Sequence, residues 1–367
     1  MKLHKLLITG GHPTPALAVI DEILAHHPSI RVTFVGRRNV NTRERANSLE
    51  YQEVIARKIH FTHTSTKRGK RGVIELPYRT LQSIELLQTE KPDAVLSFGG
   101  YIGVPICIAA YLLKIPVFLH EQTMRPGTAN IRLAKIASKV MISFPQTQKY
   151  FDKKKTVVTG NPLRQQMFHV SSTAKFTHLL KPIILVQGGN LGSHSVNTHI
   201  FSILPKLVEK YSVIHQVGNI KEFGDWENAQ ETHLSLPNEL KNRYFPIQHL
   251  STQEMAEAYA QAEIVISRSG ASTITELIAL RKPAVLIPLP WSAHGEQLAQ
   301  AKLLSEVGVA EIFDQEKSSK ELLGCIQKIA DHVQSYSDHY DSFAQIYDPQ
   351  AAEKILHTIR ETLSTYP

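Results

Sequence analysis

An α/β protein of two doubly wound domains is predicted by three observations. Short β-branched runs alternate with helical periods almost from end to end. The strand-like runs are nearly continuous in apolar residues, as strands covered on both faces must be. The pattern then restarts midway, where residues 182–189 repeat the apolar-run-then-glycines layout of residues 6–11. The 367 residues, 42% hydrophobic and 20% charged, are enough for two domains and exclude disordered, collagen-like or coiled-coil chains.

The elements follow in order. Residues 5–9 form a first buried strand, its apolar run too short for a secretory signal before Gly10-Gly11. A helix over 15–26 and a strand over 31–36 come next, and further strands are expected at 94–98, 116–120, 140–143 and 156–159. Residues 94–113 carry no charge over twenty positions, long enough to span a bilayer. Gly99-Gly100, Gly103 and Pro105 interrupt that stretch, so a buried strand, a glycine turn and a helix from Val104 fit better. The second domain supplies strands at 182–187, 213–217, 264–267, 284–288 and 310–313. The domains are placed at 1–162 and 163–345, joined near Gly160-Asn161-Pro162-Leu163-Arg164. The closing segment, 346–367, contains a helix over 349–362 with Ala352, Ile355, Leu356 and Ile359 on one face.

Charge is divided unevenly. The formal net charge is +8, yet residues 1–160 hold 24 Lys and Arg against 11 Asp and Glu, leaving 17 against 22 in the remainder. A basic first half suggests an anionic surface or polymer as partner, with nucleic acid and anionic lipid headgroups both candidates. The densest cluster, Lys67-Arg68-Gly69-Lys70-Arg71, reads as a loop, and a merely solvated loop is the plainer alternative. Cys107 and Cys325 are the only cysteines, which excludes a disulfide framework and favours a reducing compartment.

In open parallel sheets, ligands bind beyond the carboxyl ends of the strands, at helix N-termini. The candidate residues lie there. After one strand come Arg268-Ser269-Gly270-Ala271-Ser272-Thr273-Ile274-Thr275-Glu276, where amides and hydroxyls can cradle phosphate and Glu276 can accept from the hydroxyls of a ribose. The alternative is a capping box, with Thr273 and Glu276 in the S/T-x-x-E pattern. Gly188-Gly189-Asn190-Leu191-Gly192-Ser193 offers a second amide nest that matches neither the Walker nor the dinucleotide fingerprint. In the first half, His12 follows Gly10-Gly11, and His120-Glu121-Gln122 ends a strand. His12 is the first choice for a general base and Glu121 the second, because an imidazole near its unperturbed pKa of about 6.5 suits neutral pH. A helix-entry histidine held by backbone is as good a reading of His12 taken singly. No Asp-x-Asp, H-E-x-x-H or cysteine pair offers metal ligands, so leaving-group charge would fall to amides and to Arg164 or Arg268.

Six motifs in order resemble the MurG family of glycosyltransferases. They are Gly10-Gly11-His12, Gly99-Gly100-Tyr101, His120-Glu121-Gln122 with Asn130, Gly160–Arg164, Gly188-Gly189 with Gly192 and Asn197, and 267–276 with Gln297. The resemblance implies the GT-B fold, two Rossmann-like domains facing a cleft. It also implies inverting transfer of N-acetylglucosamine from UDP-GlcNAc to a polyprenyl-diphosphate-linked acceptor, lipid I to lipid II in peptidoglycan synthesis. No metal or other cofactor would be needed. Its donor residues would be Thr9, Gly10, Gly11, Thr123, Arg164 and Asn190 in the loops. Ala271, Ser272, Thr273, Ile274, Thr275 and Glu276 would be the donor helix, and Gln297 would reach the sugar hydroxyls. Tyr101, His120 and Asn130 would lie on the acceptor side, where the first glycine loop also meets the acceptor diphosphate. The closing helix would pack back on the first domain, and the enzyme would sit peripherally at the cytoplasmic face of an anionic membrane, without nucleic acid. Several positions depart from the family pattern. Leu7-Ile8 stand where two glycines are usual, Thr123 and Asn190 replace an Asn and a Ser, and Gln300 stands at an Asn position. A UDP-GlcNAc 2-epimerase, and a related transferase with a different glycolipid acceptor, are the alternatives.

Overall fold

A computed structural model describes residues 1–39, 47–64, 69–169, 175–189, 191–343 and 347–366. The chain divides into two compact units, one of residues 1–164 with 348–367, the other of 165–347.

In unit 1 the strands are β1 (Lys5–Thr9), β2 (Arg31–Gly36), β3 (His60–His63), β4 (Ala94–Ser97), β5 (Val117–Glu121), β6 (Lys139–Ile142) and β7 (Thr156–Val158). They form one parallel sheet in the order β3-β2-β1-β4-β5-β6-β7. Side chains alternate across it as the strand period requires. Leu6, Ile8, Phe34, Leu96 and Phe118 enter the core on one face. Leu7, Val35, Val95, Leu119 and Val140 enter the core on the other.

Helices α1 (Pro13–His26), α2 (Leu49–Ala56), α3 (Lys70–Glu90), α4 (Gly100–Leu112) and α5 (Thr128–Leu133) cover this sheet. The closing helix, Ala351–Ser364, buries Ile355, Leu356, Ile359 and Leu363 against the α1 side of the same core. The basic cluster is a correction to the sequence reading: Lys70 and Arg71 open α3 instead of extending a loop, while Lys67 and Arg68 lie outside the described residues. The uncharged stretch resolves into β4, a glycine turn and α4. Among the described residues no helix is long and apolar enough to cross a membrane.

Unit 2 repeats the plan with β8 (Ile183–Gln187), β9 (Ser212–Gln216), β10 (Tyr244–Ile247), β11 (Ile264–Ser267), β12 (Ala284–Leu286) and β13 (Ala310–Ile312). Its parallel order is β10-β9-β8-β11-β12-β13. Helices α6 (His194–Lys210), α7 (Asp225–Ser235), α8 (Asn238–Lys241), α9 (Thr252–Gln261), α10 (Ala271–Leu280), α11 (Glu296–Val307), α12 (Ser319–Ala330) and α13 (Val333–Asp338) surround it. Ile184, Val186, Ile264 and Ile266 pack with Ile200 and Leu204 of α6 and Leu322 and Ile326 of α12.

In both sheets the strand order reverses beside the first strand, between β1 and β4 and between β8 and β11. Such switch points open a crevice for ligands at the carboxyl ends of the strands. In unit 1 the two turns there pass glycine against glycine: Gly11 (φ +150°) and Gly100 (φ +75°) lie so close that a Cβ on Gly11 would collide with the carbonyl of Gly99.

Candidate active site

At the unit 1 switch point His12 is the N-cap of α1, and Pro13 starts the helix. Pro13 and Pro15 carry no N–H and the Ala16 amide closes the first helical bond onto His12, so at the helix start only His12 and Thr14 can offer amides to a ligand. The Gly10 amide is bonded to the Val35 carbonyl at 2.8 Å. His12 Nδ1 lies 2.9 Å from the Phe98 carbonyl. A carbonyl can only accept, so Nδ1 carries a proton, and the tautomer this bond selects has its lone pair on Nε2.

The other histidine and the carboxylate nearby have different places. His120 is wholly buried and its Nε2 donates to the Gly160 carbonyl at 3.0 Å. Burial, with a smaller contribution from His12, lowers its pKa to about 4, so the ring is neutral. Glu121 is buried as well. Its Oε1 accepts from the Thr123 amide (2.9 Å) and hydroxyl (2.7 Å), and its Oε2 from the Gly127 amide (3.2 Å) and Asn130 Nδ2 (2.9 Å). A carboxylate so surrounded organises the loop. Thr9 is fully buried with its hydroxyl on Ser97 Oγ at 2.9 Å, and Thr123 and Asn130 are internal, so none of these side chains is open to a ligand. Tyr101, half-buried, lies under the Arg37 guanidinium at 4.7 Å. Arg164 belongs to unit 1 and sits 3.9 Å from Glu53.

The unit 2 switch point is furnished differently. Gly270 is the N-cap of α10 and among the described residues no side chain caps the helix, so its first amides are left without an internal acceptor. The capping-box alternative fails because Thr273 is already the third residue of the helix. Ala271, Ile274 and Thr275 are buried, the Thr275 hydroxyl bonding back to the Ala271 carbonyl at 2.8 Å; they can meet a ligand only through backbone. Ser272, Thr273 and Glu276 are half-exposed.

Arg268, at 9% exposure, bonds Ser193 Oγ (3.1 Å), Ser195 Oγ (2.5 Å) and the Ile287 carbonyl (3.0 Å). Among the described residues its bonded partners are all uncharged, and burial lowers its pKa to about 10, still cationic at neutral pH. Tyr259, buried on α9, donates to Glu276 Oε2 at 2.9 Å and accepts from Gln187 Nε2. Gln297 Oε1 accepts from the Leu289 amide at 3.0 Å, which fixes the side-chain amide with its N–H groups turned the other way. Asn190 lies outside the described residues. Ser193, Ser195 and Tyr259 are supports that sequence reasoning missed. Tyr259 sits on α9 with nothing in its sequence setting to mark it, and Ser193 and Ser195, at the N-cap and second residue of α6, look like ordinary helix-start polarity.

A third feature lies on unit 1. The face of α3 exposes Ile74 (78%), Tyr78 (58%) and Leu81 (65%) at helical spacing, with Val73 beside them and Tyr111 and Leu112 exposed at the end of α4. Next to it a groove of about 710 Å³ is lined by Val73, Leu76, Val104, Ile108 and Ile136, with Arg79 and Arg132 on its wall.

Comparison with known proteins agrees across the chain. Residues 9–142 match the glycosyltransferase family 28 N-terminal domain and residues 183–354 its C-terminal domain. A protein of Thermodesulfovibrio yellowstonii named UDP-N-acetylglucosamine–N-acetylmuramyl-(pentapeptide) pyrophosphoryl-undecaprenol N-acetylglucosamine transferase is 32% identical over 365 residues, 97% of this chain and 96% of that one. A protein of the same name from Clostridium novyi is 30% identical over 339 residues, 88% and 89% of the two chains. Among solved structures, Acinetobacter baumannii MurG superposes with a TM-score of 0.72 at 26% identity, covering 98% and 99%. The UDP co-structure of S. aureus MnaA scores 0.73 at 15% identity, covering 99% and 97%; that likeness is one of fold alone. With both family 28 domains in order and relatives of at least 30% identity over most of its length, this chain belongs to the MurG family of GT-B glycosyltransferases.

Proposed function

We propose that the chain transfers N-acetylglucosamine from UDP-GlcNAc to undecaprenyl-diphosphate-linked N-acetylmuramyl-pentapeptide, converting lipid I to lipid II in peptidoglycan synthesis. The observation that carries the reading is the near-full-length likeness to transferases of that name. Unit 2 holds the donor. The uncapped amides of α10 and the unneutralised Arg268 meet the diphosphate, Glu276 braced by Tyr259 reads the ribose, and Gln297 reaches the sugar. Unit 1 holds the acceptor, its diphosphate at the first glycine turn.

In the chemical step an acceptor hydroxyl attacks the anomeric carbon while the bond from that carbon to the UDP oxygen breaks. The configuration inverts, and the new linkage is β-1,4. The bonding pair leaves with UDP, whose growing charge falls toward the α10 amides and Arg268. The hydroxyl proton passes to Nε2 of His12, the ring nitrogen that its bond to Phe98 leaves unprotonated.

The test is transfer from radiolabelled UDP-GlcNAc to a panel of polyprenyl-linked acceptors, with and without chelator. Lipid-linked disaccharide formed equally in both arms is the expected outcome, and loss of activity on chelation would overturn metal independence. Epimer appearing by NMR from UDP-GlcNAc alone would instead favour the 2-epimerase reading.

The exposed apolar face of α3, beside Arg71, Arg79 and Arg132, seats the enzyme peripherally on the cytoplasmic face of the membrane, where a lipid-linked acceptor would be found. Changing Ile74 and Leu81 together to Asp should weaken sedimentation with anionic vesicles by at least about tenfold, since burying each such side chain contributes roughly 1.5–3 kcal/mol. Turnover of a short-chain, water-soluble acceptor should be unchanged, and equal vesicle binding would remove α3 from that role.

A further inference from the structure

Glu50, on α2, takes no part in the steps above, yet it lies against the first glycine turn. Its carboxyl is wedged between two glycines. A Cβ on Gly10 would collide with Oε1, and one on Gly36 would stand 3.0 Å from Cδ and Oε2. Among the described residues, Oε2 receives only a long bond from the Arg37 amide, 3.4 Å, and buried Oε1 has no hydrogen-bond partner. An ionised carboxylate so placed would be poorly solvated and would set negative charge directly beneath a turn that two prolines have already stripped of donors.

We propose that Glu50 is a positioning residue for acceptor binding: as the uncharged acid it forms the floor of the first glycine turn, and as the carboxylate it opposes the acceptor's diphosphate. The inference rests on the assignment of that turn to the acceptor. Burial is the larger influence on Glu50 and raises its pKa to about 7, with Arg37 opposing. The neighbouring charged and titratable groups have further partners of their own. Arg37 lies over Tyr101, Arg38 over Tyr51, and Glu53 pairs with Arg57, which also holds Asp21. His63 accepts from the Arg38 amide, and His12 Nδ1 is on Phe98. Because this acid's pKa is raised, the binding-competent form prevails below about pH 7 and is lost above it.

The experiment measures the Michaelis constants for both substrates from pH 6 to 8.5. In the wild type the acceptor KM should rise about tenfold across the alkaline half while the UDP-GlcNAc KM stays level. A diphosphate diester does not itself titrate there. Glu50→Gln should keep the acceptor KM level throughout, whereas an acceptor KM that rises in E50Q as in the wild type overturns the proposal. If E50Q does not fold, a pair of variants reads the same contact. Gly10→Ala should raise the acceptor KM by displacing the carboxyl, and adding Glu50→Ala should restore it and abolish the alkaline rise. Failure to restore also overturns the proposal. Absence of any transfer to the lipid-linked acceptor would instead strike the underlying assignment, and the Glu50 role with it.

Discussion

Replacing His12 with alanine should lower kcat by roughly two to four orders of magnitude, the usual worth of a positioned general base, while UDP affinity stays at its wild-type value. The two halves of this expectation have separate structural sources. The α10 amides, Arg268 and Glu276, to which the diphosphate and ribose of UDP are assigned, are in unit 2, whereas His12 is held at the start of α1 in unit 1. Its Nδ1–H···O bond to Phe98 selects the tautomer with the Nε2 lone pair, so the ring needs no reorientation before accepting a proton. Single-turnover rates with saturating donor, beside calorimetric titration with UDP, measure both quantities. An H12A enzyme that turns over normally would return His12 to the rank of a backbone-satisfied helix-entry residue.

Replacing Glu121 should act on stability first. Alanine there leaves the Thr123 and Gly127 amides and Asn130 Nδ2 without their acceptor around a buried hole, while the Thr123 hydroxyl can still turn to the Arg125 carbonyl; at about 1–3 kcal/mol for each unsatisfied buried donor, the loss is on the order of 3–5 kcal/mol. In a unit of this size that corresponds to a fall in Tm on the order of 10 °C. Glutamine should also be damaging, because its NH2 would face N–H groups. Calorimetric melts of E121A and E121Q check this. A variant that melts like the wild type yet has lost kcat would restore Glu121 as a base.

Much of the fold was readable because central parallel strands are apolar on both faces, and β1, β4, β8 and β11 stand out as such runs. The strands that escaped notice are β3 and β10, both sheet edges. His60–His63 reads His-Phe-Thr-His, with one apolar residue in four, and is only partly covered, so it gave no continuous apolar run. Tyr244–Ile247 contains Pro246, which an edge tolerates but which argues against a strand in sequence. At the site, residue types were legible and burial was not. Thr9, His120, Glu121, Thr123 and Asn130 have the chemistry of ligand-facing groups, yet the bonds among them and their neighbours turn them inward. Glu50 was missed for the converse reason, since its significance comes from Gly10, forty positions earlier. The serine before its helix, Ser48, which caps α2, was the available sign that a helix starts there.

The closing helix belongs to the core of unit 1 although all of unit 2 intervenes in the chain. A nascent polypeptide emerging from the ribosome therefore has everything unit 2 requires before unit 1 has its final wall. Until Ile355, Leu356 and Ile359 are made, the apolar side of α1 stays uncovered. The half assigned to the acceptor should then be the last to mature, and premature termination shortly after residue 347 should leave a well-formed nucleotide half attached to an aggregation-prone partner.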